Sequence, residues 1–135
     1  MASILKIDEL RGLTTTGDIT VTSEGGAATM QLQQGLTKAW FFLNQTGTQS
    51  LVDSLNCSSI TDIGTGQSQV SFSSSFSNIN WAAGAVGGGS ANDWVLQKYS
   101  ASYWGTGNTD WFNYDSTNGF ADALYGSSII AGDLA

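Results

Sequence analysis

Hydrophobic and polar positions alternate along the chain in short bursts, and one burst breaks the alternation. In Gly35-Leu-Thr-Lys-Ala-Trp-Phe-Phe-Leu-Asn44 the residues Trp40, Phe41, Phe42 and Leu43 stand together. A half-buried strand carries apolar side chains at every second position. A short aromatic run bounded by Gly35 and Asn44 instead predicts a strand over Leu36–Leu43 that is covered on both faces. One face meets the core of its own domain. The other meets a second layer or a second copy of the chain, unless the strand is simply a long-packed one inside a monomer.

The remaining bursts read as shorter strands. Asp18-Ile-Thr-Val-Thr22 alternates as a half-exposed strand, and Ser50–Leu55 is another. In Cys57–Asp62, strict alternation sets Cys57, Ser59 and Thr61 opposite Ser58, Ile60 and Asp62. Two glycines in Ile63-Gly-Thr-Gly-Gln67 predict a hairpin. Val70 and Phe72 point inward from Gln69–Ser73, and Ala82–Val86 is a strand of small residues. Asp93–Trp104 is the longest strand candidate, Trp111–Asp115 is short and aromatic, and Phe120–Tyr125 with Ser127–Ala131 forms a final pair. Strands recurring every 8–12 residues between turn signals predict an all-β fold. The expectation is an antiparallel β-sandwich, jelly-roll-like, over residues 35–135, preceded by an extended N-terminal arm over residues 1–34.

The arm holds too few large apolar residues for a core of its own. Its opening, Ser3-Ile-Leu-Lys-Ile-Asp-Glu-Leu-Arg-Gly12, spaces Ile4, Ile7 and Leu10 three apart with Leu5 beside them. That is a short helical stripe, although a free peptide of this length is marginal as a helix. In either conformation Ile4, Leu5, Ile7 and Leu10 need a partner surface, so the segment is expected to dock onto another protein.

Composition narrows the partners. Charged residues make up 11% of the 135 positions, against about 25% in an average domain, so the polar surface is Ser, Thr, Asn, Gln and Gly. The formal net charge is −7; with only Lys6, Arg11, Lys38 and Lys98 as cations, nucleic acid is not an expected partner. An anionic membrane surface is disfavoured for the same reason. No stretch approaches about 18 apolar residues, so no membrane insertion is expected. Met1–Gly12 lacks the apolar centre of a signal peptide, which predicts synthesis in the cytoplasm without standard export.

Candidate chemistry is sparse. The chain has no histidine, which removes the commonest general base and metal ligand. Cys57 is the single cysteine and reads as a small buried hydrophobe. Gly64-Thr-Gly66 and Gly87-Gly-Gly89 lack the Lys and Ser of a phosphate cradle. Asn113–Gly119 is rich in oxygen but fails the spacing of a calcium loop. No catalytic residue, cofactor or metal is expected. The aromatic cluster Tyr99, Tyr103, Trp104, Trp111, Phe112 and Tyr114 has two readings. It is either core and interface packing, or a sugar-stacking surface in which Asn108, Asp110 and Asn113 bond hydroxyls beside Tyr103, Trp104, Trp111 and Tyr114.

Several segments, in order, resemble a known group. Ser3-Ile-Leu-Lys-Ile-Asp8, Asp18-Ile-Thr-Val-Thr-Ser-Glu-Gly-Gly26, Leu32-Gln-Gln-Gly-Leu-Thr-Lys-Ala-Trp40, Asp53-Ser-Leu-Asn56, Ser59–Gly66, Phe76-Ser-Asn-Ile-Asn80 and Ala131-Gly-Asp-Leu-Ala135 resemble the small structural and tail-fibre-like proteins of tailed bacteriophages, especially those of aquatic bacteria and cyanobacteria. The resemblance covers most of the chain and is weakest over Gly87–Ala123. It implies a non-enzymatic virion component, usually a homotrimer, and supplies no catalytic site. The leading expectation is therefore a short tail fibre or fibre-tip protein. Ile4, Leu5, Ile7 and Leu10 would attach it to other virion proteins, Trp40, Phe41 and Phe42 would join the copies, and Tyr103, Trp104, Asn108, Asp110, Trp111, Asn113 and Tyr114 would contact a host-surface glycan. The alternatives are a capsid decoration (cement) protein or head fibre and, from a different class, a carbohydrate-binding module.

Overall fold

The computed structural model describes residues 5–13, 19–22, 26, 28–89, 93–97, 104–115 and 119–135, with residues 93–97 described by their backbone. The chain divides into two compact units, Met1–Leu36 and Thr37–Ala135. In the first, β1 (Thr20–Thr22) pairs antiparallel with β2 (Thr29–Gln31), which runs into a single helical turn, α1 (Leu32–Gly35). None of its described residues is buried, as expected of a segment with few large apolar side chains.

The second unit holds β3 (Ala39–Asn44), β4 (Ser50–Leu55), β5 (Cys57–Gly64), β6 (Gln67–Phe72), β7 (Ala82–Gly88), β8 (Asp93–Gln97), β9 (Asn108–Asp115), β10 (Gly119–Phe120) and β11 (Tyr125–Ala131). These form two packed antiparallel sheets, an all-β sandwich. One sheet has the order β4-β3-β11-β7. In the other, β9 is central: β6 lies along one side of it and β8 along the other, and the short β10 pairs with its end at Tyr114 and Asp115. The core between the sheets contains Phe41, Leu43, Val70, Phe72, Phe76, Trp81, Trp111 and Ile130.

Local chemistry fixes the corners. β4 and β5 belong to different sheets yet are joined by one residue, Asn56, which turns the chain with φ of 56°. Asn is among the few residues that tolerate this left-handed conformation. Its side chain accepts from Ser74 N at 2.7 Å and donates to Ser74 O at 3.0 Å, tying the corner to the far end of β6. The β5–β6 hairpin turns at Thr65 and Gly66. Gly66 has φ of 67°, and a Cβ there would lie 2.6–2.7 Å from backbone atoms of Ala121 and Asn113, so no other residue fits without moving the chain.

Some elements differ from the alternation read in the sequence. Register shifts between Cys57 and Ser59 and between Asp62 and Gly64 interrupt β5. As a result Cys57 and Ile60 both pack against the core, rather than on opposite faces; a bulge resets the two-residue period. The first core strand begins at Ala39 rather than Leu36, because the chain up to Gly35 is a helical turn. Of the long strand expected over Asp93–Trp104, β8 accounts for Asp93–Gln97, and Trp104 forms an isolated bridge with Thr109; residues 98–103 lie outside the described residues. The expected final strand pair is instead the two-residue β10 and one seven-residue strand, β11.

Candidate assembly surface

β3 alternates in burial even though its sequence does not alternate in chemistry. Ala39, Phe41 and Leu43 are buried between the sheets, while Trp40, Phe42 and Asn44 point outward and are half-buried. The run of four apolar residues thus supplies large side chains to the core and to the outer surface of the sheet. β11 does the same. Gly126, Ser128 and Ile130 are buried, while Tyr125 and Ile129 stand outward, 56% and 62% exposed.

Register brings these outward residues together. Trp40 lies between Leu55 of β4 and Ile129 of β11. Phe42 lies between Asp53 and Ser127, and Ser127 in turn faces Val86 of β7, which is 68% exposed. Phe42 also stacks on Tyr125, with ring centroids 6.1 Å apart at 22°. The register shift between Phe42 and Leu43 leaves Val52 as an extra, exposed residue on β4. The outcome is a sheet face with an apolar centre and one carboxylate, Asp53. Two shallow hollows flank Ser127. One, of about 380 Å³, lies between Thr37, Trp40, Phe42, Ser127 and Ile129. The other, of about 260 Å³, lies between Phe42, Val86, Gly88, Tyr125 and Ser127.

Of the three residues expected to join copies, Trp40 and Phe42 lie on this face. Phe41 does not: it is 1% exposed in the core, because it sits between two outward neighbours on one strand. Among the attachment residues, Leu5, Ile7 and Leu10 are exposed, and Ile4 lies outside the described residues. Leu10 also lines a groove with Arg11, Ile19, Leu32 and Leu36 within the first unit.

The residues expected to hold a glycan do not form an open surface. Asp110, Trp111 and Asn113 each have zero exposure. Trp111 lies at the sandwich centre against Gly126 and Leu43, and β9 is flanked by strands on both sides. Asn113 donates to Ala121 O at 3.0 Å. The carboxyl of Asp110 accepts from Gln69 Nε2 at 3.0 Å, its other oxygen has no partner among the described residues, and desolvation raises its pKa against the opposing effect of that bond. Trp104 is half-buried and stacks on Trp81 with centroids 3.6 Å apart at 9°. Each indole N–H is engaged by the other ring's segment: Trp104 donates to Ile79 O at 2.6 Å and Trp81 to Gly105 O at 3.1 Å. Asn108 is half-buried, Tyr114 is 41% exposed against the edge of Phe120, and Tyr103 lies outside the described residues.

Burial pushes the Cys57 thiol up to about 11, so at neutral pH it stays protonated and unreactive. Its S–H points toward the carbonyls of Leu55 and Trp40. Among the described residues, no group of three or more His, Cys, Asp or Glu could hold a metal ion, and no helix is long and apolar enough to cross a membrane. What sequence reasoning missed is a polar chain at one end of the sandwich that runs from buried Gln45 and Ser68 out to exposed Asp62. Gln45 donates to Ser68 at 2.9 Å, Ser68 donates to Gln49 at 2.5 Å, and Gln49 donates to Asp62 at 2.9 Å. Gln45 also accepts from Ala123 N at 3.0 Å, so the β3–β4 loop, the β5–β6 hairpin and the approach to β11 are held together. Known protein families, curated proteins and solved structures give no match to this chain.

Proposed function

We propose that this chain is a non-enzymatic structural protein of a tailed-bacteriophage virion, assembling through the outer face of the β4-β3-β11-β7 sheet and through its N-terminal unit. The observation that carries the reading is the pair Trp40 and Phe42, large aromatic side chains held outward on a central strand beside exposed Ile129 and Val86. Contiguous exposed apolar patches on soluble proteins mark interaction surfaces. The exposed Leu5, Ile7 and Leu10 support attachment to other virion proteins. The resemblance to phage structural proteins supports the virion setting and implies three copies.

Within that setting, a short tail fibre or fibre tip requires a surface for a host receptor. The burial of Asp110, Trp111 and Asn113 removes three of the seven residues expected to contact a glycan, and weakens the free carbohydrate-binding reading equally. It favours the second reading, a capsid decoration protein, whose work is contact with neighbouring subunits alone. Image reconstruction of particles carrying the chain tests both. Density at the tail tip supports the fibre, density on the head lattice supports decoration, and absence from purified particles overturns the virion reading.

A further inference from the structure

We draw no further inference here: the strongest candidate, the apolar-floored groove of the first unit between Leu10, Ile19, Leu32 and Leu36 with Glu9 and Arg11 on its rim, carries nothing because nothing in the structure shows what covers it.

Discussion

A methyl group placed on Gly126 would lie 2.6 Å from Cη2 of Trp111 and 2.8 Å from Cδ1 of Leu43. The largest side chain of the core is thus seated over a missing one on the facing sheet. Gly126→Ala is expected to force that ring aside and cost about 1–3 kcal/mol, the usual range for overpacking. Trp111→Ala is expected to cost roughly 3–5 kcal/mol by leaving a cavity. Denaturant melts measure both, and the pair should be non-additive, because with the ring gone an alanine at 126 meets little.

Asp110 gives a pH signature. Its folded-state pKa lies above the ordinary value of 3.8, so between the unfolded and folded values the folded chain keeps a proton that the unfolded chain has released. The associated stability is complete below the unfolded value and is lost as pH rises through the folded one. Asp110→Asn, which removes the desolvated charge and keeps the acceptor for Gln69, is expected to raise the melting temperature at pH 7 by about a few degrees. The advantage should shrink as the pH approaches 4. An advantage that grows on acidification would contradict the assignment.

The attachment role of the first unit is tested by truncation. Removing residues 1–13 is expected to leave the melt of the Thr37–Ala135 unit within about 0.5 kcal/mol of wild type, as for surface changes. It should abolish incorporation into particles. Truncated protein at normal copy number in particles would assign the anchor elsewhere.

Trp104 and Tyr114 separate clasp from contact. Trp104→Ala removes both the stack on Trp81 and the hydrogen bond to Ile79, and is expected to cost about 2–4 kcal/mol of stability. Tyr114, 41% exposed with its ring against the edge of Phe120, should lose about 0.5–1.5 kcal/mol of stability on truncation, less than Trp104. If a fibre tip holds its receptor here, Tyr114→Ala weakens particle adsorption by about 1–3 kcal/mol. Unchanged adsorption, with heads that lose stability when the chain is absent, identifies the decoration protein.

The fold class was legible because short runs and glycine turns recur too closely for anything but strands, and β3 stood out because its run is apolar at consecutive positions. The sequence could not say which neighbour covers each face. Trp104 and Trp111 read alike in sequence, yet Trp111 faces Gly126 across the core while Trp104 lies over Trp81; strand pairing decides this, and local pattern does not. Asp110 and Asn113 read as surface polar residues because nothing local marks β9 as a central strand. Ile129, Val86 and Tyr125 were missed since β7 and β11 mix small and apolar residues on both faces, which blurs the two-residue period. That lack of contrast was itself the available signal, as it is in β3: a strand with similar chemistry on both sides has both sides to cover.

The crossed hydrogen bonds of Trp81 and Trp104 mean that neither the 79–81 segment nor the 104–105 segment can shift without releasing the other's ring. Two indoles held nearly parallel at 3.6 Å also share their electronic transitions. Their coupled circular-dichroism bands would therefore act as an optical reporter for this end of the sandwich alone, appearing when the two segments close on each other and vanishing when either lets go, even while the rest of both sheets stays intact.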